Sequence, residues 1–463
     1  MPPMCWNRIC VALLFSASVV SFARAQTVTA LANFDGTNGA APMYMSLIQG
    51  LDGNLYGVTW KGGTHDYGTI FKMTLGGTLT TLHRFSFIDG AGPYGGLVLS
   101  INGTLYGTTV AGGTGTGVSC AEGCGTVFKM TPAGTLTTLH NLTSTEGAAP
   151  SGLMLQASNG AFYGTTELGG KSTDGTVFQI TPAGTLTTLH SFDISDGREP
   201  SGALVQATNG KLYGTTDLNG LYSDGTVFQI TPAGALTTLH DFDLSDGSDV
   251  AAGLVQASNG SLYGTTVSGG VGFVGTIFSI TPSGTFTSLY SFAGTDGAYP
   301  FAALIQATDG NLYGTTSQGG ASNHGTIFKM TLGGNLTTVY SFGPSGGANP
   351  YGALVQATDG NLYGVTTVGG DGNVGTVFRL SVGLGPFVKT LPISGKLGAA
   401  VDVLGTNLAG ATSVSFNGTA ASFTVVSPSL ITTTVPAGAS AGRVRVVTPG
   451  GTLVSNVAFR VMP

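Results

Sequence analysis

The sequence predicts an all-β protein: a seven-bladed β-propeller with four strands per blade, closed by its N-terminal strand, followed by an immunoglobulin-like β-sandwich. Three observations carry this. The pair Tyr-Gly begins at Tyr56, Tyr106, Tyr163, Tyr213, Tyr263, Tyr313 and Tyr363, in steps of 50 residues with a single step of 57. A period of that size, written in short strand patterns, is the signature of a propeller or array. No part of the repeats sustains the 3.6-residue apolar period of a helix. After Leu384 the repeat stops, and many short strand patterns divided by Gly and Pro follow, as a sandwich would require.

Each strand can be justified in one copy. Gly202-Ala203-Leu204-Val205-Gln206-Ala207 is a small, apolar run suited to the crowded inner strand near the axis. Asn209-Gly210 is a hairpin signal, expected here as a two-residue turn with positive φ at both positions. Leu212-Tyr213-Gly214-Thr215-Thr216 is rich in residues that fit a pleated surface. A Gly-rich loop leads to Gly225-Thr226-Val227-Phe228-Gln229-Ile230. Thr231-Pro232-Ala233-Gly234 then turns the chain into Leu236-Thr237-Thr238-Leu239-His240-Asp241-Phe242. Four strands of ordinary length are expected, with turn signals between them. A lone blade has two faces to bury, and stacking blades radially buries both.

Ring closure is legible at the ends. The seventh copy stops at Gly375-Thr376-Val377-Phe378-Arg379-Leu380, with no Leu-Thr-Thr-Leu-His strand after it. Residues 28–34, Val28-Thr29-Ala30-Leu31-Ala32-Asn33-Phe34, are a spare strand of that type. Pairing the two completes blade seven and removes an exposed edge.

Residues 1–25 read as a secretory signal peptide. Arg8 is the positive charge, Val11-Ala12-Leu13-Leu14-Phe15 opens an apolar region too short to span a bilayer, and Ala23-Arg24-Ala25 is a small-residue cleavage site. The expected organisation is signal peptide 1–25, propeller 26–384 and sandwich 385–463. The protein is thus expected outside the cell or on its surface, with no membrane span after cleavage. Charged residues are 8% of the chain and the net charge is -6; with no basic patch, nucleic acid is not an expected partner. Cys5 and Cys10 would leave with the signal peptide. Cys120 and Cys124 remain, inside the insertion that makes the 57-residue step. In an exported chain such a pair is expected to close a small disulfide loop. A metal site would want two further ligands, and none is nearby in sequence.

The repeat Gly-x-Leu-Val-Gln-Ala-x-Asp/Asn-Gly-x-Leu-Tyr-Gly-Thr-Thr, then Gly-Gly, Gly-Thr-Val/Ile-Phe and Leu-Thr-Thr-Leu-His-Ser-Phe, closely resembles the GloVer repeat of exported Gloeobacter and Verrucomicrobia proteins. That resemblance covers about residues 28–382 and implies an exported bacterial propeller of unassigned activity. Relatives often end in a surface-anchoring or sorting signal, a pattern not matched here. The tail resembles an IPT/TIG domain through Gly405-Thr406-Asn407-Leu408-Ala409-Gly410-Ala411, Val414-Ser415-Phe416-Asn417-Gly418, Val435-Pro436-Ala437-Gly438-Ala439, Gly442 and Thr448-Pro449-Gly450-Gly451. Such modules are spacers or binding units, and their fold alone fixes no function.

Blade order sorts the loops onto two faces. The Asn-Gly and Asp-Gly hairpins and the Thr-Pro-Ala-Gly turns share one face and barely vary. The longer loops share the other and differ from copy to copy, so function is expected there. The residue after the loop proline, or its equivalent, is Met43, Tyr94, Ser151, Ser201, Ala251, Phe301 or Tyr351. Blades six, seven, one and two thus carry an arc of large side chains, joined by Trp60. Glu167 and Asp217 hold the position equivalent to Trp60 in blades three and four. The candidate ligand site is therefore Trp60, Tyr94, Phe301 and Tyr351 facing Glu167 and Asp217, an arrangement suited to stacking a sugar ring and binding its hydroxyls. The plainer alternative is that the rings cover the ends of the inner strands.

Two further rings of residues recur. Asp89, Glu146, Asp196, Asp246 and Asp296 precede Gly in turns, with Asn38 and Gly346 in the other copies; turn formation explains them, and one carboxylate per blade cannot gather the six or more oxygens of a Ca²⁺ site. His83, His140, His190 and His240 share one outer-strand position, with Tyr290, Tyr340 and Ala32 in the others, too far apart to share a metal. His65 and His324 are single loop residues. Propellers with an immunoglobulin-like tail include galactose-oxidase-like copper enzymes, whose Tyr, His and Cys set has no counterpart here. No cofactor, metal or catalytic residue is assigned. The expected function is a monomeric, non-enzymatic binding or scaffold protein recognising a glycan, surface polymer or protein. The alternative is a polysaccharide-active enzyme using Glu167 and Asp217 as its carboxyl pair.

Overall fold

A computed structural model describes residues 26–118, 120–343 and 347–462. The expected signal peptide, with Cys5 and Cys10, and Gly346 lie outside those residues. Among the described residues every regular element is a strand. Seven antiparallel sheets of four strands form the blades. Blade four runs Val205–Gln206, Leu212–Thr216, Thr226–Ile230 and Leu236–Asp241, from inner to outer.

The period of two sends neighbours to opposite blade faces. Tyr213 and Val227 pack with Leu254, Leu262 and Phe278 of blade five. Leu212, Phe228 and Ile230 pack with Tyr163, Val177 and Phe192 of blade three. The glycine after each Tyr is demanded by this packing: a Cβ at Gly214 would stand 2.5 Å from Phe228 Cζ. The threonine ending each second strand pairs with the one opening the third. Thr216 and Thr226 hydroxyls lie 2.9 Å apart, buried and mutually satisfied.

The hairpin differs from expectation. Only Gly210 turns to positive φ, at 83°. Gly210 N–H donates to Ala207 O at 2.9 Å and Ala207 N–H to Lys211 O at 3.0 Å. This is a three-residue loop with the glycine in the left-handed position. The Asn side chain decides it: Asn209 Oδ1 accepts from Lys211 N–H at 3.1 Å, and Nδ2 donates to Tyr213 OH at 2.8 Å. In the Asp copies the Tyr hydroxyl donates instead, to Asp52 at 2.9 Å and to Asp359 at 2.8 Å. Inner strands are also shorter than expected, two residues in all blades but blade two. Near the axis the backbones crowd; a Cβ at Gly95 would stand 2.6 Å from the Gly152 backbone.

Closure is as expected. Thr27–Asn33 pairs antiparallel with Thr376–Ser381 and completes blade seven. Phe34 then inserts, fully buried, against Phe71 of blade one with ring centroids 5.2 Å apart. An inner-strand glutamine interlocks neighbouring blades: Thr208 N–H donates to Gln256 Oε1 at 3.0 Å. The same bond crosses the seam, from Thr358 N–H to Gln49 Oε1 at 2.9 Å.

The tail forms two sheets, one of four strands and one of five, around Val401, Val403, Ile431, Val444, Val446 and Phe459. It rests on the hairpin face. Ser429 Oγ donates to Leu51 O at 3.2 Å, Thr358 and Thr406 hydroxyls lie 2.8 Å apart, and Lys389 Nζ donates to Gln356 O at 2.6 Å. Because its core is its own, residues 386–463 expressed alone are expected to give dispersed amide resonances. A random-coil spectrum would show that the sandwich depends on the propeller.

Candidate functional site

With the tail on the hairpin face, the opposite mouth of the ring stays open to the long loops. There the loops preceding the inner strands converge on a pocket of about 180 Å³ whose lining includes Tyr44, Tyr94, Ser151, Glu167, Asp217 and Phe301. A left-handed residue precedes the loop proline in most blades, for example Glu199 at φ 56° and Asn349 at φ 57°. It turns the chain sharply toward the axis, so the residue after the proline reaches the mouth.

The ring-forming residue of blade one is Tyr44, not Met43. Blade one has one more residue between proline and inner-strand leucine than the other blades: Pro42 to Leu47, against Pro350 to Leu354. The extra residue moves Tyr44 into the position held by Tyr351, at φ 54°, a conformation in which a bulky residue is an outlier. The signal was present as that spacing. Tyr44 stacks on Tyr94 at 4.6 Å and touches Tyr351 at 5.3 Å and Phe301 at 5.6 Å; Phe301 and Tyr351 meet at 5.0 Å. Three of the four expected aromatics thus come together, around a fourth that the sequence reading missed.

Trp60 does not line this pocket. Its ring lies under Lys61 Nζ, 4.7 Å away, and beside Gly92, where a Cβ would meet Nε1 at 2.9 Å. The side chain is thus turned to the blade one–blade two loops and leaves the arc.

Glu167 and Asp217 both reach the pocket, from the ends of the second strands of blades three and four. Ser201 Oγ donates to Asp217 Oδ1 at 2.6 Å and also approaches Ala251 O at 3.3 Å. Burial, reinforced by the like charges of Glu167, Asp249 and Glu199, pushes the Asp217 carboxyl up to about 8. Burial also raises Glu167, although the neighbouring Ser151 hydroxyl and Glu199 act on it in opposite directions. Burial raises the phenols of Tyr44 and Tyr94, and both feel the two carboxyls. Ser151 is 4% exposed, and its Oγ makes no hydrogen bond of acceptable geometry.

The other recurring residues have structural roles. Each outer-strand histidine pairs with the acid six residues on: His83–Asp89 at 2.9 Å, His140–Glu146 at 3.2 Å, His190–Asp196 at 2.7 Å and His240–Asp246 at 3.0 Å. The two rings, separate expectations from sequence, are thus joined as pairs. Asp89 and Glu146 sit below the ordinary carboxylate range; burial opposes this, but the His83 and Ser86 donors, and those from Thr143 and His140, outweigh it. Cys120 and Cys124 are joined by a disulfide, with Cα atoms 4.9 Å apart. Cys124 O accepts from Ala149 N–H at 3.1 Å, anchoring the loop that delivers Ser151. Among the described residues no three His, Cys, Asp or Glu side chains converge as metal ligands, and no helix is long and apolar enough to cross a membrane.

No curated protein matches this chain. Among solved structures, a fungal alcohol oxidase of the AA5 family, described in complex with copper, is 12% identical with a TM-score of 0.54, covering 94% of this chain and 99% of its own. The extracellular domain of a hybrid two-component system from B. thetaiotaomicron is 14% identical with a TM-score of 0.50, covering 94% of this chain and 53% of its own. At such identities the likeness shows the fold alone. Residues 386–461 match the IPT/TIG domain. Residues 16–119, 115–308 and 202–422 match the Gloeobacter/Verrucomicrobia repeat, so the chain belongs to that repeat family.

Proposed function

We propose that the protein is an exported, non-enzymatic binding protein that recognises a glycan or surface polymer at the channel-mouth pocket. The observation that carries this is the cluster of Tyr44, Tyr94, Phe301 and Tyr351 set against two carboxyls with no basic partner. Blade geometry does not require the rings, because blades three, four and five manage with Ser151, Ser201 and Ala251 at the same place. Large rings at an open mouth keep an apolar surface near water unless a ligand covers it. The family repeat and the IPT/TIG tail fit a binding or scaffold role, and export is consistent with the disulfide.

A second reading has its own support. A carboxyl raised to about 8, as Asp217 is, holds a proton at neutral pH, as the general acid of a glycosidase must. Screening the purified protein on an array of glycans and cell-wall polymers, with reducing ends measured in parallel, separates the two. Retention without release of reducing ends is expected. Release that is lost in Asp217→Asn would establish the enzyme instead.

A further inference from the structure

We propose that the pocket takes the protonated amino group of an amino sugar, held between Glu167, Asp217 and Ser151 Oγ. This rests on the glycan reading above and names the group recognised.

The first argument is charge. Two carboxyl side chains from adjacent blades line the pocket, and its lining holds no Lys, Arg or His among the described residues. The nearby Arg198 is already engaged, with Nε 3.2 Å from Asp174 and Nη2 3.1 Å from Glu199. An ammonium group supplies the missing positive charge. A divalent metal ion would need six or more oxygen ligands or a compact His, Cys and carboxylate set, and none is formed by the described residues.

The second argument is hydrogen bonding. Ser201 spends its hydroxyl on Asp217. Ser151, its counterpart in blade three, is buried and lines the same pocket with its hydroxyl beside the Glu167 carboxyl, yet it has no well-aligned hydrogen bond. A buried polar group left unpaired is costly. Glu167, Asp217 and Ser151 Oγ offer three acceptors, and an ammonium group carries three N–H donors.

The third argument is size and shape. A pocket of about 180 Å³ is far larger than the roughly 10–15 Å³ that holds a single water, and has room for one ring-sized group. Tyr44, Tyr94 and Phe301 line the same pocket as the acids and offer aromatic faces on which the carbon face of a pyranose would rest. N-acetylation would remove the charge and add bulk, so it should be rejected.

Binding should also displace a proton. The groups acting on Asp217 are Glu167, Asp249 and Glu199, and its own field reaches the phenols of Tyr44 and Tyr94. All of these disfavour a second negative charge in the empty pocket, whereas a bound ammonium favours it.

The test is calorimetry at pH 6.5 on the full mature chain with glucosamine, N-acetylglucosamine, glucose and n-butylamine. Glucosamine should bind at least about ten-fold more tightly than glucose and N-acetylglucosamine, the loss expected for one charge-assisted hydrogen bond, and more tightly than n-butylamine, which keeps the ammonium but lacks the ring. The measured enthalpy should vary with the ionisation enthalpy of the buffer, in the sense of proton release. Glu167→Gln, nearly isosteric, should melt no lower than wild type and lose that binding, and Ser151→Ala should weaken it. Equal binding of N-acetylglucosamine or glucose would overturn the amine assignment and leave sugar recognition standing. Equal binding of n-butylamine would overturn the sugar carrier. Failure of all four would overturn the proposal, while a neutral polymer captured on the array would still uphold the glycan reading.

Discussion

A mature chain lacking residues 26–34 is expected to melt roughly 10 °C or more below the full protein and to associate or aggregate. The deletion removes Thr27–Asn33, the outer strand of blade seven, and strips Thr376–Ser381 of its partner. It also removes Phe34, fully buried between blades seven and one. Loss of a buried Phe alone costs about 3–5 kcal/mol. The backbone bond from Phe34 N–H to Gly375 O, 3.0 Å, goes with it. The newly bared strand is a template for pairing with another chain. Unchanged melting and a monomeric product would show that the N-terminal strand does not hold the ring shut.

Asp217→Asn is expected to stabilise the protein, and to do so only above acid pH. The folded carboxyl is raised from 3.8 to about 8, chiefly by burial. A raised carboxyl contributes stability that is complete below its unfolded value and is lost as pH rises through the folded one. Wild type therefore weakens relative to the variant between about pH 4 and pH 8. At pH 8.5 the variant should melt about 3–5 °C higher; at pH 4 the two should coincide. The low carboxyls Asp89 and Glu146 act in the opposite sense, losing stability as pH falls, but they are common to both proteins and cancel in the difference. A gain of the same size at pH 4 and pH 8.5 would mean that Asp217 is not a strained acid. Gain of stability at the expense of binding is the usual mark of a residue kept for function.

The propeller was legible because packing spells it out in single residues. Tyr-Gly recurs because a phenylalanine ring lies on the glycine, as Phe228 does on Gly214. The missing and spare strands could be matched by type alone, and they pair as expected. Turn chemistry was less legible. Asn-Gly suits more than one turn, and here the Asn side chain, bonded to Lys211 N–H and Tyr213 OH, selects the three-residue loop. The glutamine interlock between blades left no sequence signal beyond the recurrence of Gln itself. The site was half legible. Equivalence between blades brought Tyr94, Phe301, Glu167 and Asp217 to one pocket, whose lining does not include Tyr351; that ring instead packs against Tyr44 and Phe301. Equivalence failed in blade one, where a single extra residue shifts Tyr44 into Met43's expected role. It failed again at Trp60, because backbone equivalence does not fix which way a large side chain turns.

The most direct test of the binding face is the double substitution Tyr94→Ser and Tyr351→Ser, assayed together for melting and for capture of the polymer that the array identifies. Each ring contacts others, at 4.6 Å for Tyr44–Tyr94 and 5.0 Å for Phe301–Tyr351, so a loss of about 1–3 kcal/mol in stability is expected. The protein should remain folded, and capture should be abolished. A large loss of stability with capture intact would show that the rings only seal the ends of the inner strands, and that the ligand is held elsewhere.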